Sequence, residues 1–346
     1  MARIAVVLFN LGGPDAPESV QPFLFNLFND PAIIDMPTPV RWLLAQVISR
    51  RRAPVAKKIY QHLGGKSPLL DLTREQADAL EAKLNAGNDT YRTFISMRYW
   101  HPMSAVAARA VKIFEPDEIV LLPLYPQYST TTTGSSLWDW QRAAARENLF
   151  APTFAPCCYP LERGFLQAHA ALIRASLEKE NLTGKARVLF SAHGLPKKII
   201  GRGDPYQWQV EQTVAKVSAM IGPAVRDWAV CYQSRVGPLE WIGPSTEEEL
   251  KRAAHDRVPV AVVPIAFVSE HSETLVELDI EYRKLAEDFG VPGYVRVPAL
   301  GSHTAFIESL AETVRHARGK NATIEPANDW TDCRRHFSCC PQGRPL

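Results

Sequence analysis

One histidine and a row of glutamates are the side chains here best suited to bind a divalent cation and move protons. His193 follows Arg187-Val188-Leu189-Phe190-Ser191-Ala192, which reads as a buried strand, and parallel α/β sheets build their sites at strand ends. A neutral imidazole there binds metal or accepts a proton near neutral pH, although position alone equally suits a packing or capping histidine. Phe267 to Glu273 ends a second apolar run and leads into Thr274 to Tyr282. A helix starting near Ser269 puts Glu270, Glu273, Glu277 and Glu281 on one face. Like charges at such spacing repel, and charge runs usually mark a solvated face. This row, however, starts directly after a buried strand and meets no Lys or Arg until Arg283. Beside histidines, such carboxylates can deliver a hard divalent cation or carry protons away.

Other candidates are less explicit. Pro123 to Thr130, containing Tyr125 and Tyr128, runs into Thr131-Thr132-Thr133-Gly134-Ser135-Ser136. Hydroxyls before a helix suit carboxylate or phosphate anchoring or plain N-capping. The loops Arg202-Gly203-Asp204-Pro205-Tyr206 and Tyr232-Gln233-Ser234-Arg235-Val236-Gly237-Pro238 are distinctive without an obvious chemistry. Six cysteines are present, Cys157, Cys158, Cys231, Cys333, Cys339 and Cys340. With no signal-peptide pattern the chain is expected in a reducing, cytoplasmic setting, where clustered thiols suggest metal more than crosslinks. Cys231 falls in a strand and reads as packing.

Apolar runs alternate with amphipathic segments at Ile4 to Leu11, Thr93 to Tyr99, Glu118 to Tyr125, Arg187 to Ala192, Trp228 to Gln233, Val258 to Phe267 and Tyr294 to Val297. That βαβ rhythm predicts parallel sheets covered on both faces, with covering helices at 75–85 and 208–221. Three pairings in order suggest an internal repeat: Val7 to Pro14 with Val188 to Pro196, Met97 to Pro102 with Gln233 to Pro238, and Leu122 to Tyr125 with Val263 to Ala266. Two similar α/β lobes follow, over 1–150 and 151–322, with a cysteine-bearing extension at 323–346. Pro14 and Arg98 are 84 residues apart against 39 for Pro196 and Arg235, so the first lobe carries about 45 more. That insertion, about 20–65, is apolar and ends in Arg50-Arg51-Arg52. It reads as a helical layer, or as a hydrophobic lip for a flat apolar ligand or a membrane surface. No run approaches the roughly 18 apolar residues of a membrane span. With 39 Lys and Arg against 37 Asp and Glu, global charge makes no case for nucleic acid.

Taken in order, Asn10-Leu11-Gly12-Gly13-Pro14, Met97 to Pro102, Tyr125 to Ser129, Thr132 to Ser136, Ser191 to Pro196, Tyr232 to Pro238 and Ala266 to Tyr282 resemble the motif set of the ferrochelatase family, from residue 4 to about 310. The resemblance implies two Rossmann-like lobes with a porphyrin cleft between them. It implies a lyase-class enzyme that inserts Fe2+ into protoporphyrin IX, releasing two protons and forming protohaem, the last step of haem biosynthesis. His193 and Glu273 would face each other across the cleft, handling Fe2+ and pyrrole protons, with Glu277 and Glu281 as a relay behind; which of the two accepts first stays open. Ser67, Arg98, Tyr99 and Tyr128 match positions near the porphyrin or its propionates. Glu270 departs from the Asp of many relatives.

Some ferrochelatases, bacterial ones among them, carry a [2Fe-2S] cluster on a C-terminal extension, which needs four thiolates. Here that implies Cys333, Cys339 and Cys340 with Cys158, chosen over Cys157, since Thr130 and Thr131 occupy the loop from which animal relatives take the distant ligand. A structural Zn2+ site and an unligated tail are the competing readings. For the whole chain, the alternatives are a chelatase for coproporphyrin or cobalt and a non-catalytic haem carrier. A carrier needs axial ligands but no carboxylate row.

Overall fold

The structure, a computed structural model, describes every residue except 236, 238, 319–323, 328–331 and 345–346. Among the described residues the strands are β1 (Arg3–Asn10), β2 (Thr90–Met97), β3 (Glu118–Pro123), β4 (Thr153–Pro156), β5 (Arg187–His193), β6 (Asp227–Gln233), β7 (Val260–Pro264), β8 (Tyr294–Arg296) and β9 (Ile324–Glu325). They form two parallel sheets, ordered β2-β1-β3-β4-β9 and β6-β5-β7-β8. The fold is α/β, as the rhythm of apolar runs predicts. β1 and β5 are buried along almost their whole length, which is why they read as continuous apolar runs rather than alternating ones.

The chain divides into two compact units, Met1–Cys158 with Leu310–Asp329 and Pro341–Leu346, and Tyr159–Ser309 with Trp330–Cys340. The sequence puts the first division near 150 and runs the second lobe to 322. The chain instead rejoins the first unit at Leu310, because β9 pairs with β4 there and Arg318 is bound by Glu118 at 2.6 Å and Asp89 at 2.9 Å. The expected boundary at 323 lies outside the described residues.

The internal repeat appears in the strand order, since each sheet places its first strand between its second and third. Matched motifs fall at matched strand ends: Met97 and Gln233 close the second strand, Pro123 and Pro264 the third. Gly12 stands where the second unit has His193. Its φ is +85°, and an added Cβ would lie 3.0 Å from the Trp100 amide nitrogen. The first turn therefore requires glycine, and only the second offers a side chain.

In the insertion, the helices Val20–Phe28 and Thr38–Gln61 pack through Val20, Phe23, Leu24, Ala53 and Tyr60. In the second unit, Leu189, Cys231, Val260, Val262 and Leu278 share a core. Burial pushes the Cys231 thiol up to about 12, as a packing cysteine should behave. β4 and β9 escape sequence reading because one ends in proline and the other has two residues paired to a distant partner.

Candidate active site

The site is assembled from the ends of three neighbouring strands in the second unit. Pairing of β5 with β6 sets His193 opposite Gln233. On the other side of β5, β7 ends at Pro264, and the chain turns before entering a helix over Glu273–Glu281. That helix is π-type, a form concentrated at functional sites. His193 Nδ1 lies 2.8 Å from Glu273 Oε2, with side-chain exposures of 39% and 25%. Both belong to the second unit, where they meet directly.

Glu277 lies one turn on and is held from several sides. Ser234 donates its amide to Oε1 at 2.8 Å and its hydroxyl to Oε2 at 2.5 Å. Gln233 Nε2 donates to Oε2 at 3.1 Å and the Tyr282 hydroxyl to Oε1 at 3.3 Å. The Gln233 amide is oriented by Ser191, whose hydroxyl donates to its Oε1 at 2.8 Å.

Burial opposes charge on all three titratable groups, but partners decide the outcome. Burial alone would lower His193, yet the Glu273 carboxylate, by charge and hydrogen bond, raises it above 6.5. Burial would raise Glu273, but His193, by charge and hydrogen bond, and His271, by charge, hold it below the usual carboxylate range. Glu277 is raised by burial and by the negative charge of Glu273. Two carboxylates pushed in opposite directions can take different proton-handling roles.

The rest of the expected row disperses. Glu270 precedes the helix and accepts from Arg296 Nη1 at 2.8 Å and the Ala299 amide at 2.9 Å. Glu281 is exposed at the far end. His271 is buried, which lowers its pKa, and its ring packs 4.6 Å from that of Phe267. Glu273 and Glu277 are thus the two carboxylates the fold gathers around Ser234. Gln233 and Ser234 stand out in sequence only as part of a motif, and their position at a repeat-matched strand end was the available signal. Val236 and Pro238 of that motif lie outside the described residues.

In the first unit, Arg98 and Tyr99 turn inward. Arg98 Nη2 donates to Asp30 Oδ2 at 2.8 Å and Nε to Ser135 Oγ at 2.7 Å, while the Tyr99 hydroxyl donates to Asp30 at 2.7 Å. Arg98 and Asp30 side chains are 10% and 1% exposed. As placed, Arg98 and Asp30 form a buried ion pair, with the Tyr99 hydroxyl on the same carboxylate. Asp30 carries no sequence signal. Ser67 and Tyr128 are also buried, and the Ser67 hydroxyl accepts from the Leu69 amide. The hydroxyl run caps a helix, with Ser129 Oγ accepting from the Thr131 amide at 3.1 Å.

None of the six cysteines forms a disulfide. Cys157 and Cys158 belong to the first unit, and Cys333, Cys339 and Cys340 to the second. Cys158, Cys333 and Cys340 are buried, Gln209 Nε2 donates to Cys333 Sγ, and Cys339 donates to the Arg202 carbonyl. Among the described residues, no three His, Cys, Asp or Glu side chains form a group fit to hold a metal ion.

Two parallel sheets flanked by helices, with a histidine at one strand end meeting a glutamate on the helix after the neighbouring strand, give an α/β fold similar to that of chelatases. A solved structure of SirB from Bacillus subtilis shares that fold at 13% identity and a TM-score of 0.53, over 92% of this chain and 96% of that one. The family model described as Ferrochelatase matches residues 3–318. A ferrochelatase from Caulobacter vibrioides is 53% identical over 342 residues, covering 98% of this chain and 97% of the relative. One from Pelagibacter ubique is 49% identical, covering 97% and 98%. The chain belongs to the ferrochelatase family, and its function is that of a ferrochelatase in haem biosynthesis.

Removing Asp30 leaves the Arg98 guanidinium, in a buried site, with only the more distant Asp139 carboxylate at 3.8 Å as counter-charge. Asp30→Ala should cost about 2–4 kcal/mol in urea unfolding of the whole chain, less than for a fully unpaired charge because Asp139 remains; a loss below about 1 kcal/mol would show that Arg98 does not depend on Asp30.

Proposed function

We propose that the second unit inserts Fe2+ into protoporphyrin IX through His193 and Glu273, as a lyase-class reaction that forms protohaem and releases two protons. The 2.8 Å contact between these side chains carries the reading. Metallation requires a base at the ring, because two pyrrole N–H protons leave as the cation enters. With Nδ1 donating to ionised Glu273, His193 turns Nε2 to the substrate. The carboxylate stabilises the imidazolium and makes His193 a stronger base. The same negative charge favours the approach of Fe2+. Glu277, with its raised proton affinity, takes the next position outward, and exposed Glu281 the outlet. A haem carrier has no use for such a sequence, which favours the enzyme.

A peripheral membrane contact, with the rest of the chain in the cytoplasm, is part of the proposal. Trp42, Leu43, Leu44 and Val47 are 50%, 59%, 37% and 38% exposed on the Thr38–Gln61 helix. Exposed Arg50, Arg51 and Arg52 follow, a composition suited to an anionic bilayer surface. No described helix is long and apolar enough to cross a membrane.

The [2Fe-2S] cluster is proposed on Cys158, Cys333, Cys339 and Cys340 from the resemblance and the donor chemistry. These are soft thiol donors, three of them buried and none in a disulfide. Their placement does not fit the ligand set as it stands, since Cys339 is engaged by the Arg202 carbonyl; binding requires that contact to break. No reaction step depends on the cluster.

In an anaerobic assay with Fe2+ and protoporphyrin, His193→Ala and Glu273→Gln should each lower kcat by at least ~10²-fold; undiminished turnover in both refutes the site. A base must be neutral, so activity should fall with decreasing pH through the raised His193 pKa. Glu273→Gln, by removing the stabilising charge, should move that acid limb downward toward 6.5. For the membrane contact, the protein should sediment with phosphatidylglycerol vesicles in a salt-sensitive way. Trp42→Ser combined with Leu43→Ser should weaken this about tenfold, and absence of sedimentation by the wild type refutes it. For the cluster, anaerobically purified protein should hold about two iron and two acid-labile sulfide per chain, lost in Cys333→Ser; colourless, iron-free wild type overturns that assignment.

A further inference from the structure

Ser234 stands at the end of β6 with φ +59°, a left-handed conformation that residues with a Cβ avoid. Such strain persists only where the surroundings impose it, and it concentrates at functional sites. Here the conformation brings two donors of one residue onto one carboxylate, the amide to Glu277 Oε1 at 2.8 Å and the hydroxyl to Oε2 at 2.5 Å. The same hydroxyl oxygen lies 3.3 Å from Glu273 Oε2. A hydroxyl has a single proton. It goes to the nearer Glu277, and the oxygen itself sits between the two carboxylates.

We propose that Ser234 is a positioning residue for metal insertion, whose hydroxyl fixes Glu277 beside the Glu273–His193 pair. The inference rests on the reading of His193 and Glu273 as the insertion site. Its neighbour supports the same arrangement: Gln233 Nε2 reaches Glu277 Oε2 at 3.1 Å and the Glu273 carbonyl at 3.4 Å. Gln233, the last residue of β6, and Ser234 just past it therefore hold the helix that carries both glutamates. A residue needed only to turn the chain would have no use for the hydroxyl, and glycine would serve better at this φ.

That contrast supplies the test. Ser234→Gly keeps the amide and suits the backbone, removing only the hydroxyl. Thermal unfolding of this variant should be unchanged or shifted upward. In the anaerobic Fe2+ and protoporphyrin assay its kcat should fall about tenfold or more, with KM for the porphyrin unmoved. Ser234→Ala should lose the same activity while also melting lower. Wild-type kcat in Ser234→Gly overturns the proposal, as does a rise in KM for both substrates at constant kcat, the mark of general loosening. His193→Ala and Glu273→Gln measured alongside separate the two readings. If both remain active, the site and Ser234 fall together; if both are inactive while Ser234→Gly is not, only Ser234 falls.

Discussion

The hydrogen bond between His193 and Glu273 joins residues 80 apart in sequence, and the chemistry of the second unit depends on it. It raises the proton affinity of one group and lowers that of the other. It can form only because β5 and β7 are neighbours, so their ends open on the same side of the sheet. The parallel sheet is thus more than a scaffold. It brings two sequence-distant loops into one hydrogen-bonded pair, and the partly buried Glu273 carboxylate stays charged because its partners outweigh the cost of desolvation.

The π-helical geometry of Glu273–Glu281 gives this pair its direction. Glu273 meets His193 while Glu277 meets Ser234. The negative charge of the first keeps the second inclined to hold a proton. A gradient of proton affinity along one short helix follows from burial, the charge of Glu273 and the histidines beside it.

The repeat shows how one topology serves two purposes. Each unit closes its second strand with a motif that binds a carboxylate from elsewhere in the unit. In the second unit Ser234 holds Glu277 beside a half-exposed histidine. In the first, Arg98 holds Asp30 in the interior. The matching turn of the first unit is occupied by Gly12, where an added Cβ would meet Trp100, so no histidine stands beside its carboxylate.

The strands were legible in the sequence because buried parallel strands are continuous apolar runs, and the repeat because its motifs fall at strand ends. Side-chain type made His193 and the glutamates candidates before any geometry. Sequence alone did not determine which carboxylates converge. Periodicity assigns Glu270, Glu273, Glu277 and Glu281 equally to one face, but Arg296 draws Glu270 away and Ser234 gathers the middle two. Nor did it show that Arg98 pairs with Asp30, which is 68 residues off and gives no local sign of being its partner. Hydrogen bonds are decided over tenths of an ångström by strand register and turn conformation. Those quantities exist only once the chain is folded.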